Sequence, residues 1–178
     1  MARMIWHVTM SLDGFIAPLD DSAEWMFGFG AAGPLGAETM RRTGAILSGR
    51  RGLELGNRPG EGARAIYGGA WSGPVFVLTH RPAEPLDGVT FLSGDVGKAA
   101  DLAREAAGDR DVGVFGADVA RQCLRAGLLD ELVVHLVPVL LGGGVRLFDS
   151  PDLGPVTLRK TRCDDPGQIT DLRFAVVR

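Results

Sequence analysis

Apolar residues in this chain come mostly in short continuous runs, the pattern of strands covered on both faces. Such runs occupy residues 4–10 (MIWHVTM), 45–47, 75–78 (VFVL), 89–92 and 112–115. The first ends at SLDG, a turn signal, and the second runs into Gly49, Arg50 and Arg51. Helical spacing appears between the runs. Residues 34–43 predict a short helix, with Pro34 in its first turn and Gly44 closing it. Ser93 or Asp95 can cap a helix over 96–107, where Val96, Ala99, Ala100, Ala103 and Ala107 share one side. A further helix follows Gly116, carries Val119, Ala120, Cys123 and Leu124, and ends at Gly127.

The stretch ELVVHLVPVLLGGG (131–144) reads as one long strand with a bulge or edge position at Pro138. Residues 159–163 and 172–177 read as a closing antiparallel pair, joined around DDPG (164–167). The glycines and charges of 57–73 predict a surface loop. Strands alternate with helices at first and then follow one another. That order predicts an α/β fold with a mostly parallel central sheet and antiparallel strands at its C-terminal edge. No repeat or linker interrupts it, so one domain over 1–178 is expected.

Composition narrows the function classes. With 46% hydrophobic and 23% charged residues the chain has globular, not disordered, character. A net charge of −3 gives no general attraction to nucleic acid or to an anionic membrane, so an anionic ligand must be held by local groups. No run approaches the ~20 apolar residues of a membrane span, and the N-terminus does not read as a signal peptide; a cytoplasmic location is expected. Cys123 and Cys163 match no metal or disulfide framework and are expected as small core residues. His7 and His135 interrupt apolar strands and are expected in the core or facing a partner.

Three turns at successive strand ends are suited to an anion. SGRRG (48–52) combines a glycine that admits backbone N–H groups to a phosphate with two arginines able to grip one; a solvated basic turn is the plainer account. THRP (79–82) places a hydroxyl, an imidazole and a guanidinium beyond a strand, where α/β sheets bind ligands, and would suit an adenosine 2′-phosphate; it also describes a polar turn. In VFGADVARQ (114–122), Gly116 opens a helix whose first N–H groups face a pyrophosphate, or the helix is simply capped by Asp118. SLDGFIA (11–17) offers a turn carboxylate, Asp13, beside apolar residues that can line a pocket for a flat ring, or a plain loop. The three glycines of PVLLGGGVRLF (138–148) predict a sharp bend. No zinc spacing, Walker loop or nucleophile elbow is present.

Taken in order, SLDGFIA, the GRR turn, VLTHRP, GADVARQCLRAGLLDEL and PVLLGGGVRLF resemble the dihydrofolate-reductase-like superfamily over nearly the whole chain. The branch is the one sharing the C-terminal reductase domain of the bifunctional riboflavin-biosynthesis deaminase-reductase. The zinc signature of a deaminase half is missing, so a stand-alone reductase domain is expected. The resemblance implies a three-layer α/β/α fold, NADPH as cofactor, a small-molecule substrate and a homodimer, which the apolar strand 131–141 could form across a two-fold axis. It implies that Thr9, Ile16 and Ala17 hold the nicotinamide end, and that Gly49, Arg50 and Arg51 meet the phosphates. Thr79, His80 and Arg81 would surround the adenosine ribose and its 2′-phosphate, and Gly116, Ala117, Asp118 and Val119 would cradle the pyrophosphate. Asp13 would orient or polarise the substrate ring.

The chain departs from the family where Gly52 replaces a threonine and Phe115 replaces the first of two glycines. The buried acid of dihydrofolate reductases has no clear counterpart; Asp20, Asp21 and Glu24 lie nearest. The implied reaction is hydride transfer to a C=N or C=O carbon of a pterin- or aminopyrimidine-like ring, of the kind a 5-amino-6-(5-phosphoribosylamino)uracil reductase performs. The proton would come from water or from Asp13, if burial raised its pKa. The alternatives are an NADPH-binding module without catalysis, serving as sensor or sequestering protein, and a structural domain that uses the fold alone.

Overall fold

The computed structural model describes residues 2–30, 33–56, 62–81, 84–165 and 167–178, with the side chains of 54–56 and 62–65 outside that description. Eight strands form the central sheet: β1 (Met4–Ser11), β3 (Thr43–Gly49), β4 (Val75–Leu78), β5 (Val89–Leu92), β6 (Asp111–Phe115), β7 (Glu131–Val137), β9 (Leu158–Asp164) and β10 (Thr170–Val176). Their spatial order is β5-β4-β3-β6-β1-β7-β10-β9. Neighbours from β5 through β7 run parallel, whereas β10 pairs antiparallel with both β7 and β9. A mostly parallel sheet with antiparallel strands at its C-terminal edge is what the sequence predicts and what is observed.

Side-chain alternation divides the sheet into two buried faces. Met4 and Trp6, Ala45 and Leu47, and Val112 and Val114 point to one face, beneath helices α3 (Val96–Ala107) and α4 (Ala117–Arg125). Ile5, Ile46, Val75 and Val77 point to the other, against Leu35 of α1 (Pro34–Arg42), Leu53 of α2 (Arg50–Gly56), Ile66 and Trp71. Helices on both faces make the three layers α/β/α. In α3, Asp95 accepts the N–H of Lys98 at 3.1 Å as its cap, and the five residues read as one side are all buried. Beyond α4, Gly127 N–H bonds to Leu124 C=O and Leu128 N–H to Cys123 C=O, a Schellman ending that accounts for the glycine stop.

Several expectations need correction. Gly44 does not close α1. It lies inside β3, where a Cβ would stand 2.6 Å from the carbonyl oxygen of Ala107, so its smallness serves packing against the end of α3. Strand β7 stops at Val137; Pro138 ends it instead of sitting within it. Residues 57–61 lie outside the described chain, but 62–73 are no simple surface loop. Residues Gly62–Gly69 form 3₁₀ turns, and Ile66 and Trp71 enter the core. Cys123 is buried, its thiol pushed up to about 12 by that burial, while Cys163 is exposed on β9. Both edges of β7 are hydrogen-bonded, to β1 and β10, so it cannot pair across a two-fold axis.

A second small sheet escaped the sequence reading. Strand β2 (Phe15–Ala17) pairs antiparallel with β8 (Val145–Arg146), folding the segment after β1 against the segment after β7. Backbone bonds extend this clamp: Leu12 N–H to Val139 C=O at 2.8 Å and Leu147 N–H to Gly14 C=O at 2.9 Å. The C-terminal ends of β1, β3, β4 and β6 therefore open on one rim, bordered by this clamp. Ligands of open parallel sheets bind there.

Candidate active site

A cavity of about 370 Å³ occupies that rim. Its walls are the end of β1 (His7, Val8, Thr9), the clamp (Ile16, Ala17, Val145), the turn Gly49, Arg51 and Gly52, and the start of α4 (Gly116 to Val119). Sheet register explains the convergence: Gly49 lies opposite Leu78, and Ser48 opposite Phe115, so the GRR turn, Thr79 and Gly116 leave the sheet side by side. Of the residues expected to hold a dinucleotide, Thr9, Ile16, Ala17, Gly49, Arg51, Gly116, Ala117, Asp118 and Val119 line this cavity. Arg50, Thr79, His80 and Arg81 do not line it. Thr79 follows the last residue of β4, with His80 and Arg81 exposed beyond it.

The start of α4 is built to accept an anion. Gly116 takes φ 88 and ψ 138, which a side chain resists, and no side chain caps the helix. The N–H groups of Ala117, Asp118 and Val119 precede the first backbone bond, from Ala120 N–H to Gly116 C=O at 3.2 Å. Asp118 is not the cap considered above: its carboxylate accepts from Arg121 at 3.0 Å and Gln122 at 2.9 Å. A Cβ on Gly116 would lie 3.9 Å from the nitrogen of Gly49, so two backbone turns approach closely across the cavity. Arg51 at the same wall is paired with Asp21, its Nε donating at 3.2 Å.

Asp13 has a different place from the one expected. It lines neither this cavity nor the next. Its oxygens accept from Ser11 Oγ at 2.6 Å, from Leu141 N–H at 3.1 Å and from Gly142 N–H at 2.7 Å. The Ser11 hydroxyl foremost, with those N–H groups, holds its pKa down to about 2. Its lowered pKa is opposite to the rise that proton donation would need, and through these bonds Asp13 pins the SLDG turn to the glycine-rich bend.

A second cavity of about 430 Å³ shares the wall of His7, Val8, Thr9 and Phe115, and is completed by Gly36, Ala37 and Met40 of α1, Tyr67 and His135. No Asp, Glu, Lys or Arg is among these lining residues. Along it runs a line of hydrogen bonds that sequence reasoning missed. Tyr67 Oη lies 2.6 Å from His7 Nδ1, His7 Nε2 lies 2.6 Å from His135 Nε2, and His135 Nδ1 lies 2.6 Å from Asp171 Oδ1. Asp171 is fully buried and sits directly opposite His135 in the β7–β10 ladder. Burial foremost, and the neighbouring His135, push the pKa of His7 down to about 3. Burial pushes the Tyr67 hydroxyl up to about 12, the Thr43 hydroxyl opposing in part. The available signal was two histidines in otherwise apolar strands; without register nothing joined them.

These two cavities sit in a recognisable scaffold. The profile of the RibD C-terminal domain matches residues 2–169. The chain belongs to the RibD C-terminal domain family. Its fold is that of a protein from Shewanella sp. PV-4 assigned to riboflavin biosynthesis, with a TM-score of 0.80, 23% identity and full coverage of both chains. It is also the fold of a diaminohydroxyphosphoribosylaminopyrimidine deaminase/5-amino-6-(5-phosphoribosylamino)uracil reductase from Thermotoga maritima, at a TM-score of 0.68 and 14% identity. That match covers 99% of this chain and 57% of the Thermotoga one. The uncharacterized protein YwjB of Bacillus subtilis (strain 168) is 24% identical over 155 residues, 82% of each chain. Among the described residues of this family member, no helix is long and apolar enough to cross a membrane, and no cluster of side chains could hold a metal ion.

Proposed function

We propose that this RibD C-terminal domain protein is an NADPH-dependent reductase of a small, flat, heteroaromatic substrate. The observation that carries the reading is the pair of cavities sharing one wall: one ringed by anion-ready backbone and Arg51, the other lined without Asp, Glu, Lys or Arg and crossed by an acid–base line. NADPH fits the first. Gly116 to Val119 would meet its pyrophosphate, Gly49, Arg50 and Arg51 its phosphates, and Thr79, His80 and Arg81 its adenosine 2′-phosphate, leaving Thr9, Ile16 and Ala17 at the nicotinamide end. When bound, the coenzyme supplies a hydride. The shared wall at His7, Val8, Thr9 and Phe115 then sets the separation between coenzyme and substrate, with Phe115 and Met40 as apolar lining of the second cavity.

The Thermotoga relative's name joins a deaminase to a reductase acting on a phosphoribosylated uracil. No Lys or Arg lines the second cavity here, so the ring part of such a substrate, without its phosphate, is what that cavity suits. The family resemblance also supports a homodimer and a cytoplasmic setting. Light scattering tests the first.

Thermal unfolding tests the coenzyme. NADPH at a hundred times its Kd should add ~2.7 kcal/mol, or roughly 5–10 °C in a chain of this size. Arg51→Ala should weaken NADPH and NADH alike, by about tenfold, because charge-assisted hydrogen bonds contribute ~1.5–3 kcal/mol. Arg81→Ala should weaken NADPH and spare NADH, as expected of a 2′-phosphate contact. No shift with either nucleotide would refute the proposal.

A further inference from the structure

The line from Asp171 to Tyr67 has features that packing alone does not require. Two imidazole nitrogens 2.6 Å apart must share one proton, since two lone pairs or two N–H groups would repel. Both nitrogens of His7 are occupied, one by His135 and one by Tyr67, so a proton reaching His7 can leave only through the tyrosine hydroxyl. Asp171 is 0% exposed, and its Oδ1 lies against His135 Nδ1, while its Oδ2 has no hydrogen-bond partner among the described residues. A buried carboxylate so placed is a counter-charge for a proton lodged on the imidazole pair. Tyr67 also takes a left-handed backbone, φ 53 and ψ 36, rare for a bulky side chain. The chain bears that strain while placing the hydroxyl at His7 and the ring beside Phe115, 5.5 Å between centroids.

We propose that Asp171, His135, His7 and Tyr67 form a relay that delivers the proton of the reduction, with Tyr67 as the donor to substrate in the second cavity. This rests on the reductase reading above. With a hydride supplied by bound coenzyme to the C=N or C=O carbon, the heteroatom would take a proton from Tyr67 Oη. In the same movement His7 Nδ1–H passes its proton to Tyr67 Oη, and His7 Nε2 takes the proton held on His135 Nε2. The tyrosine ends protonated, both histidines end neutral, and Asp171 keeps its charge throughout. Product release opens Tyr67 to water, and the line refills in reverse. Tyr67 is the catalytic residue; His7, His135 and Asp171 act through it.

Imidazole nitrogen spectra of histidine-labelled protein without coenzyme read the line directly. At pH 7 the wild type should show one far-downfield proton between the two Nε2 atoms. Asp171→Asn should lower the pH at which that signal vanishes by at least one unit, and Tyr67→Phe should shift His7 Nδ1 while leaving the fold's other signals in place. Histidines that titrate independently in the wild type, unaffected by either substitution, would overturn the relay whether or not the protein is a reductase. With NADPH and a dihydropterin or 5-aminouracil as probe, Tyr67→Phe should cut kcat at least tenfold with NADPH Kd unchanged. Asp171→Asn should displace the pH profile of kcat. Turnover that survives Tyr67→Phe would also overturn it, while a wild type that binds no NADPH would count against the reductase reading alone.

Discussion

Gly144→Ala is expected to unfold or detach the clamp that borders the cavity at the sheet rim, with a loss of about 3 kcal/mol in stability. Gly144 has φ +131, and a Cβ there would stand 2.0 Å from the carbonyl oxygen of Ala17 and 3.0 Å from Pro18 Cα. Those are backbone atoms of the neighbouring segment, so no side-chain rotation relieves the overlap. Unfavourable backbone geometry costs ~1–3 kcal/mol and forced overpacking ~1–3 kcal/mol. For a domain of this size that corresponds to roughly 6–12 °C in Tm. The functional consequence is as large. Ala17 pairs with Val145, and Ile16, Ala17 and Val145 form one wall of the cavity. A variant that melts within ~2 °C of the wild type and binds NADPH with equal affinity would show that this close approach is not needed.

How much of this was legible beforehand depended on the range of the interactions. Helix α3 was legible because its cap, Asp95, and its apolar stripe lie within one short segment. The parallel order was legible because buried strands separated by helices have few arrangements. The clamp was not, since strands of three and two residues carry no periodicity and β3 to β7 lie between them in the chain. Gly44 misled for a related reason: a glycine after a helical stretch looks like a stop, and its contact with Ala107 is long-range. The three anion-suited turns could be named one by one because each is local, and sheet register sets their strand ends side by side. The acid–base line could not. Its members are separated by 36 to 128 residues, and only the register of Asp171 opposite His135, and of His135 opposite Thr9, aligns them. Asp13 attracted attention through its Asp-Gly turn, and its bonds to Leu141 and Gly142, 128 and 129 residues away, could not be read from that turn.

The acid response of stability follows from His7. Its pKa in the folded chain is about 3, against 6.5 for a free histidine, first because burial disfavours the cation and then because His135 is beside it. The sign is that of a depressed group: between pH 6.5 and 3 the unfolded chain binds a proton that the folded chain does not. The contribution of His7 is therefore complete above about pH 6.5 and falls as the pH drops through that window, by up to ~1.4 kcal/mol per unit. At pH 5 the expected loss is about 1–2 kcal/mol, the lower figure allowing for partial access of water to the ring. Depressed carboxylates do not confuse this window. Burial works against the charge of Asp111, but hydrogen bonds from Arg42 and Arg3 prevail and leave its pKa lowered; Asp13 lies near 2. Their contributions are lost only below about pH 4. Urea unfolding at pH 7.5 and pH 5.0 measures the difference, and His7→Gln should remove most of it while lowering stability at pH 7.5 through the lost bonds to Tyr67 and His135. A wild-type midpoint that is the same at both pH values, or an acid loss undiminished in His7→Gln, would mean that His7 is free to take up its proton in the folded protein.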